Sequence, residues 1–412
     1  MKPLSPIAFL REHAVLVVAA VAAASMVAVP PDSAYWGYFD RKTLGCLFCV
    51  LAVASALRLM GAFDRAARAV VARFGSPRSL ALALVLTTAA LSCVATNDMA
   101  LIMMLPLSAA TLVGAEQTRL IPAVFVLQSL AANLCGMIVP FGNPQNLYLY
   151  SYYGLHLGDF LRTMALPFAI SVVGVVAATW WLAGRPSRKK ASAEATRGIT
   201  TAKAPASSTP AARAAAEPAT APVLRRPMPL SRRRLGAYGV LLALTLLAVF
   251  RVLPIAVAVA AVAATLAALD RRALAAVDWS LLATFACFFV FAGNLARIPE
   301  LAAWLGPLMD DHGLVISAGA SQVISNVPAA VLLSHFTDAW QPLLVGVNIG
   351  GAGTLVGSLA SLITLQHFTS VRKVFPQTRD VPELSTGRFL GLFTLLNVAF
   401  LVILLVACGL CG

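Results

Sequence analysis

Charged residues are scarce in this chain of 412 residues. Asp, Glu, Lys and Arg together make up 12% of the sequence, whereas hydrophobic residues make up 59%. A soluble domain carries about twice that share of charge, so the composition excludes one. Apolar runs of roughly 20 residues, long enough to span a bilayer, recur along the whole length. Because such spans must satisfy their own backbone hydrogen bonds, the sequence predicts an all-α polytopic membrane protein.

Clusters of metal ligands and nucleophiles are also lacking. The chain has five His and seven Cys. Cys46 and Cys49 lie three residues apart, but no neighbouring His or Cys pair completes a metal site around them. A membrane enzyme would need a constellation such as clustered His and Asp. We therefore expect no catalytic residues, no metal site, no cofactor and no enzymatic activity.

Positive charge is unevenly distributed along the chain. The net charge is +14, and 12 of the 31 Lys and Arg residues lie in residues 185–234. Most of the others flank apolar runs, which is the positive-inside pattern and places the N-terminus and residues 185–234 in the cytoplasm. This distribution indicates the lipid bilayer as the partner, and no nucleic acid. Residues 185–234 are rich in Ala, Pro, Ser and Thr and are predicted to form a disordered basic linker.

The two sides of the linker repeat each other. SCVATNDMA, from residue 92, aligns with SQVISNVPA, from residue 321, and NLCGMIVPFGNPQN, from residue 133, aligns with NIGGAGTLVGSLAS, from residue 348. FDRKTLGCLF, from residue 39, likewise parallels VDWSLLATFA, from residue 277. Because the three matches occur in the same order in both halves, they indicate an internal duplication. The predicted units are an N-terminal repeat at 1–184, the linker and a C-terminal repeat at 235–412.

Each repeat is predicted to contain a re-entrant hairpin and a broken transmembrane helix. The first repeat has its hairpin at about 78–114 and its broken helix at about 120–150. The second has them at about 313–338 and 342–366. With about nine full crossings and two hairpins, the hairpins open on opposite sides of the membrane and the repeats have inverted topology.

The count of basic residues agrees with this topology. Cytoplasmic segments would hold 25 Lys and Arg residues and outside segments five, as the positive-inside rule requires. Two full crossings in place of each re-entrant hairpin would satisfy the rule equally. The five outside residues are Arg41, Lys42, Arg162, Arg251 and Arg297.

Polar, Gly and Pro residues predict four matched breaks in these helices. Non-helical backbone at membrane depth is tolerated only where it is buried in protein or lines a cavity. At the hairpin tips, Thr96 and Ser325 suit the N-cap of the following helix, and Pro328 suits its first turn. The predicted breaks are Thr96-Asn97-Asp98, Ser325-Asn326-Val327-Pro328, residues 140–146 and residues 350–354.

Matched broken helices in inverted repeats are typical of a secondary transporter with a site near the membrane midplane. Helix N-termini at the tips suit an anion, whereas carbonyl groups of unwound backbone suit a small cation. The candidate location for a sodium ion is near Asn97, Asp98 and Asn326. The candidate substrate- and ion-binding residues are Thr96, Asn97, Asp98, Gly142, Asn143, Pro144, Asn146, Ser325, Asn326, Pro328, Gly351, Gly353, Thr354 and Ser358.

Asp98 is the only Asp or Glu in the proposed membrane core. A carboxylate at that depth costs several kcal/mol, so an intramembrane acid is by default a functional hypothesis. Burial favours the protonated acid, whereas helix N–H groups or a bound sodium ion favour the carboxylate. Asp98 is therefore interpreted as a proton carrier or a cation ligand, with a structural hydrogen bond as the remaining alternative.

The tips TND and SQVISNVPA, together with PFGNPQNLYLYSYYG and VNIGGAGTLVGSLASL, resemble the ion transporter superfamily. That group includes citrate and dicarboxylate carriers, the arsenite pump membrane subunit and some sodium/proton antiporters. The nearest resemblance is to bacterial permeases with a citrate-transporter-like domain, over roughly residues 35–370 without the linker. The resemblance implies an elevator-type carrier in the bacterial inner membrane, commonly a homodimer.

In dicarboxylate members of the superfamily, paired Ser-Asn-Thr tips contact the substrate carboxylate and sodium. By match, the resemblance implies that role for Thr96-Asn97 and Ser325-Asn326. The third position departs from the pattern, since it is Asp98 in one tip and Val327 in the other. An ionised Asp98 would repel an anion, which suggests that it holds a coupling cation or proton instead.

The leading hypothesis is a carrier, such as a symporter, for a small carboxylate or inorganic oxyanion, coupled to H⁺ or Na⁺. Efflux of arsenite or antimonite is the alternative, because arsenite is neutral as the acid and tolerates Asp98. A Na⁺/H⁺ antiporter is a third hypothesis, although more than one intramembrane carboxylate would be expected for it. A purely structural membrane protein would not need four matched breaks.

Orientation gives the first testable prediction. A cysteine introduced at Ser207, in the linker, should react with an impermeant thiol reagent only from the cytoplasmic side, and one at Gly154 only from outside, because the basic linker is retained in the cytoplasm. The measurement is labelling in intact and permeabilised cells. Labelling of the Ser207 position in intact cells would contradict the orientation.

Overall fold

The computed structural model describes residues 14–71, 73–184, 232–375, 378 and 381–411. Within these ranges all regular structure is helical, without a strand. Seven helices of the described chain are long and apolar enough to cross a membrane. The prediction of an all-α polytopic membrane protein is therefore confirmed. The number of crossings, the inverted orientation and the re-entrant character of the hairpins stay predictions.

The first half contains nine described α-helices. Ser76 and Ser79, on either side of Pro77, form a capping box that fixes the start of the fifth helix. The seventh continues through a π-helical turn at Ala131–Cys135 and a short 3₁₀ turn at Gly136–Ile138 before the chain leaves helical geometry. The helices are α1 Ala14–Ala28, α2 Tyr35–Tyr38, α3 Arg41–Leu59, α4 Ala62–Val71, α5 Pro77–Ala95, α6 Asn97–Gly114, α7 Ile121–Leu130, α8 Pro144–Tyr152 and α9 Leu157–Ala183.

The described part of the second half contributes a further nine. The first of them begins at Arg232, so the last three residues of the predicted linker at 185–234 are helical; residues 185–231 lie outside the described chain. Helix α14 loses helical geometry at His312, where φ is −134°. The helices are α10 Arg232–Val249, α11 Ile255–Leu269, α12 Arg271–Ala275, α13 Trp279–Ala296, α14 Pro299–Ile324, α15 Asn326–Leu333, α16 Trp340–Ile349, α17 Leu359–Val374 and α18 Thr386–Cys411.

The outer helices of the two halves are exchanged. Helix α1 packs against α13 of the other half, and α11 packs against α3. Both α3 and α13 begin after an aspartate whose side chain accepts hydrogen bonds from the first-turn backbone, Asp40 and Asp278 respectively. These aspartates stand at matched positions of the sequence repeat, so the same local capping starts the same helix twice.

A surface ion pair joins the loop after α1 to the end of α13. Nη2 of Arg297 lies 2.7 Å from Oδ2 of Asp32, and Nη1 of Arg297 donates to the Tyr38 hydroxyl at 3.2 Å. The bond from Arg297 holds the pKa of the Asp32 carboxyl below its ordinary value. Both side chains are well exposed, so the pair orients the loop without adding much stability.

The hairpins and broken helices form the interior of the molecule. Helices α5, α6 and α7 pack on one another, α6 and α7 also pack on α17, and α15 contacts α8, α14 and α16. One buried aromatic group ties α7, α17 and α18 together. Phe368 and Phe389 stack with ring centroids 3.9 Å apart, and Phe125 meets Phe368 edge-on at 6.3 Å. All three rings are buried.

This aromatic group gives a prediction on stability. Phe389→Ala should lower the free energy of unfolding by about 3 kcal/mol, because truncating a buried Phe leaves a cavity; the lower end of the range applies because lipid weakens the transfer contribution. The measurement is thermal unfolding in detergent. Leu395→Ala is the control, since Leu395 lies on the same helix with 67% of its side chain exposed. Equal melting temperatures for the two variants would contradict the packing role.

Candidate functional site

The two hairpin tips have nearly the same backbone conformation. Thr96, between α5 and α6, has φ 75° and ψ 152°, and Ser325, between α14 and α15, has φ 75° and ψ 154°. Positive φ is unfavourable for side-chain-bearing residues and typically costs about 1–3 kcal/mol. One strained residue thus reverses the chain in each half.

The side chains of these two residues do not cap the following helices. Thr96 and Ser325 occupy the N-cap positions, but neither hydroxyl accepts a bond from the helix backbone. The expectation of side-chain capping is therefore wrong, because positive φ changes the direction in which the side chain leaves the tip.

A carbonyl group from the broken helix satisfies each tip instead. The backbone N–H of Asn97 donates to the carbonyl of Gly142 at 3.1 Å, and that of Asn326 donates to the carbonyl of Gly357 at 3.1 Å. Gly142 and Gly357 are matched in the sequence repeat. A Cβ atom on Gly142 would overlap the carbonyl of Gly136, so this close approach requires glycine. The two halves therefore satisfy their tips by the same bond.

Two buried asparagines lie at the centre of the site. Oδ1 of Asn133 accepts from Nδ2 of Asn97 at 3.0 Å and from the hydroxyl of Ser358 at 2.9 Å. Nδ2 of Asn133 donates to the carbonyl of Gly351 at 3.4 Å. Asn133 lies in the π-helical turn, a widened helical turn that is frequent at functional sites. Through it, the first tip contacts the broken helix of the second half.

Asn348, which matches Asn133 in the repeat, makes the converse connection. Its Oδ1 accepts from Nδ2 of Asn143 at 3.4 Å and from Nε2 of Gln145 at 3.3 Å, and its Nδ2 donates to Oδ1 of Asn146. Asn143 matches Ser358 in the repeat. Each half thus sends an equivalent polar side chain to the central asparagine of the other half. We call Asn97, Asn133, Asn143, Gln145, Asn146, Asn326, Asn348 and Ser358 the amide cluster; all are at most 4% exposed.

Some hydrogen-bonding capacity in this region is unused. Oδ1 of Asn143, Oε1 of Gln145 and Oγ of Ser361 are buried and have no hydrogen-bond partner within the described chain. Buried polar atoms of this kind are rare in folded proteins and ask for an explanation such as a ligand or an ion. The amide cluster can therefore offer acceptor oxygens in addition to amide donors.

Gln322 holds the second unwound loop. Its Nε2 donates to the carbonyls of Gly350 at 2.8 Å and Ala352 at 3.1 Å, and its Oε1 accepts from the backbone of Thr354 at 2.8 Å. The matched position in the first half is Cys93, whose thiol makes one long contact, 3.6 Å, to the carbonyl of Cys135. Gln322 therefore makes several bonds to its loop where the matched Cys93 makes one contact.

Asp98 is the second residue of α6 and is partly buried. Its backbone N–H donates to Oδ1 of Asn97 at 2.9 Å. Oδ1 of the Asp98 carboxyl is buried and has no hydrogen bond to a described residue. The structural alternative, a carboxylate paired with a backbone N–H, is not seen at this oxygen.

The predicted site residues are only partly brought together. Gly142 and Gly351 contact the amide cluster through backbone carbonyls or close approach, and Pro144 begins α8 beside it. Pro328 lies in the first turn of α15 and supplies no donor. Thr354 is exposed and bonds to Gln322, next to Gly353 at φ 113°. Gly353 and Thr354 belong to the second unwound loop and lie outside the amide cluster.

The candidate list omitted three members of the amide cluster. These are Asn133, Gln145 and Asn348, of which Gln145 lies within the predicted break at residues 140–146. A signal for two of them was present, since Asn133 and Asn348 align in the repeat. Within the described ranges, no three His, Cys, Asp or Glu side chains gather as metal ligands would.

Comparison with known proteins identifies the family of the chain. The family model described as "Citrate transporter" matches residues 7–346. Relatives include the inner membrane protein YbiR of Escherichia coli (strain K12), 32% identical over 79% of this chain and 80% of the relative. Another is the uncharacterized transporter MJ0456 of Methanocaldococcus jannaschii, 27% identical over 79% and 81%. The chain is a membrane transporter and belongs to the citrate transporter family.

Proposed function

We propose that the protein is a secondary active transporter for a small anion, a carboxylate or an inorganic oxyanion, coupled to H⁺ or Na⁺. The observation that carries the proposal is the convergence of four helix N-termini on the amide cluster. Asn97 begins α6, Asn326 begins α15, Asn143 precedes α8 and Ser358 precedes α17. All four residues belong to the cluster defined above.

Helix N-termini supply positive potential without a positive side chain. Each carries the equivalent of about half a positive charge together with N–H groups that have no partner inside the helix. The hydrogen bonds from the Arg251, Arg271 and Arg297 side chains go to residues outside the cluster. An anion held by dipoles and neutral amides can bind and leave readily, which a carrier needs.

Asp98 is the proposed coupling residue. An ionised carboxylate beside an anion site would repel the substrate, so a proton or a sodium ion has to neutralise it when the anion binds. The unpaired oxygen of Asp98 is free for either. In this proposal the coupling ion and the substrate are transported together, because binding of each lowers the electrostatic free energy of binding the other.

We further propose alternating access of the elevator type in a homodimer of the bacterial inner membrane, with the N-terminus and linker in the cytoplasm. The hairpins and broken helices would form the moving body, since they share buried hydrogen bonds across the two halves. Helices α1, α3, α11 and α13, which pack in exchanged pairs, would form the frame.

Efflux of arsenite or antimonite is the second candidate function. The Asp98 carboxyl favours it, because a neutral acid is not repelled by that group in either protonation state. A Na⁺/H⁺ antiporter remains third, since Asp98 is a single acid at the site. Purified protein should be tested by thermal shift and by uptake into vesicles with citrate, succinate, phosphate, sulfate and arsenite, each with and without sodium. Stabilisation by arsenite alone would favour efflux over anion transport.

Substitution of the tip asparagines tests the site. Asn97→Ala and Asn326→Ala should each abolish transport or weaken ligand binding by about 1–3 kcal/mol, because each removes an amide from the cluster. The measurement is uptake and ligand affinity for whichever anion the panel identifies. Asn294→Ala is the matched control: Asn294 is also buried, but it bonds to Ser25 between α1 and α13. Wild-type transport in both tip variants, or equal loss in the control, would contradict the proposal.

Asp98→Asn tests coupling. The variant keeps the shape of the side chain and removes its charge, so uphill transport should be lost while exchange of substrate across the membrane survives. The measurement is accumulation in reconstituted vesicles under an imposed pH or sodium gradient, with exchange in the same vesicles as the control. If the variant concentrates substrate as well as wild type, Asp98 does not carry the coupling ion.

A further inference from the structure

Two adjoining cavities lie at the end of α8 that is remote from the amide cluster. One, about 300 Å³, is lined by residues that include Lys42, Tyr150, Ser151 and Arg251. The other, about 520 Å³, is lined by residues that include Arg41, Lys42, Ser151 and His335. Lys42 and Ser151 line both, so we treat the two cavities as one outer vestibule. Each has room for a small organic or inorganic anion.

Positive charge is concentrated in this vestibule. Only five basic residues lie on the outside in the predicted topology, and Arg41, Lys42 and Arg251 are three of them. None of the three forms an ion pair with a described acidic residue. The Asp40 carboxylate also lines the second cavity, where it caps α3 by accepting from two backbone N–H groups and from the Thr43 hydroxyl. Three basic side chains against this one carboxylate leave the vestibule with a net positive charge. The positive-inside rule disfavours such a cluster outside the membrane, which calls for a functional reason.

Arg251 is held in place at a conformational cost. It lies between α10 and α11 with φ 62°, a region that typically costs a non-glycine residue about 1–3 kcal/mol. Its Nη2 donates to the carbonyl of Tyr150 at 2.6 Å, and its guanidinium lies 5.2 Å from the centre of the Tyr150 ring. The other N–H groups of the guanidinium have no bond to a described residue. A fixed, planar donor with free N–H groups is suited to a carboxylate or oxyanion.

The vestibule and the amide cluster are joined by one helix. Helix α8 begins at Pro144, beside Asn143 of the cluster, and Ser151 lies seven residues later. At 1.5 Å per residue this separates the two places by about 10 Å. An anion held beside Ser151 would therefore lie about 10 Å from the N-terminus of α8 at the amide cluster.

We propose that the outer vestibule is a capture site for a small carboxylate or oxyanion, bound by Lys42, Arg251 and the hydroxyl of Ser151 before it moves to the amide cluster. The inference rests on the proposed anion transport and outward orientation. A net positive charge in a cleft raises the local concentration of anions. The phosphate of a phospholipid headgroup has the same chemistry and is the competing occupant that the experiment must separate.

The test measures the electric field of the vestibule without needing the substrate. Ser151→Cys is reconstituted into phosphatidylcholine vesicles and treated from outside with an anionic sulfonatoethyl or a cationic trimethylammonioethyl methanethiosulfonate, with unsubstituted protein giving the background from native cysteines. The ratio of anionic to cationic reaction rates should exceed that of a free thiol by about tenfold or more at low salt and should fall as salt rises. Citrate or inorganic phosphate should slow both reactions.

Charge variants in the Ser151→Cys protein assign the field. Lys42→Gln and Arg251→Gln should each lower the rate ratio several-fold, whereas Arg251→Lys should keep it, which separates lost charge from a disturbed fold. Arg162→Gln is the matched control, since Arg162 is an exposed outside residue paired with Asp159 and does not line the vestibule. A ratio of anionic to cationic reaction rates equal to that of a free thiol, or no change of the ratio in either Gln variant, would overturn the capture site.

Two further outcomes are informative. If added phosphatidylglycerol slows the reaction and citrate or phosphate does not, the occupant is a lipid headgroup and the proposal is wrong. The measurement does not depend on transport, so its failure is separable from failure of the proposed function. A protein that shows the rate ratio but transports no anion in the panel would keep the vestibule and refute the transport proposal.

Discussion

Backbone groups that leave a helix at membrane depth must find hydrogen bonds within the protein, because lipid offers none. The hairpin tips meet this constraint by one contact in each half, from the N–H of Asn97 to Gly142 and from that of Asn326 to Gly357. The contact requires a non-helical stretch of backbone beside each tip. That unwound backbone in turn places the starts of α8 and α17 next to the starts of α6 and α15, so the convergence of helix N-termini follows from satisfying the tips.

Bonds between the halves then make the site a single unit. Ser358 reaches Asn133, and Asn143 reaches Asn348. Leaving buried amides unpaired costs about 1–3 kcal/mol each, so separation of the halves at this point would be expensive. A motion that exposes the site alternately to the two sides is cheaper if both tips and both unwound loops move together. The hydrogen bonding therefore supports the proposed displacement of one body in place of the opening of a cleft between the halves.

The sequence predicted the helical class and the places where helices break, because both depend on local composition. Long apolar runs fix the spans, and Gly, Pro and Asn at 140–146 and 350–354 interrupt them. It could not predict side-chain direction at Thr96, since the capping expectation assumed an ordinary backbone angle. It also did not predict the bond between Gln322 and the backbone of Thr354, an exposed residue outside the amide cluster.

The vestibule shows a different limit. Lys42, Ser151 and Arg251 come from three distant segments and meet only through the packing of α3, α8 and the turn after α10. No local pattern marks them as neighbours. The central asparagines Asn133 and Asn348, by contrast, can be found from the sequence, because they align when the two halves of the chain are compared. A polar residue kept at the same place in both repeats makes an equivalent contact in each half.

The departures from symmetry are as informative as the symmetry. At matched positions the first half has Cys93 and Asp98, and the second has Gln322 and Val327. Gln322 fixes its loop with bonds to Gly350, Ala352 and Thr354, whereas Cys93 makes one long contact. The titratable group thus lies in the half that has Cys93 in place of Gln322. In the proposed function, the duplicated bonds build the anion site, and the coupling ion acts at Asp98, which has no acidic counterpart in the second half.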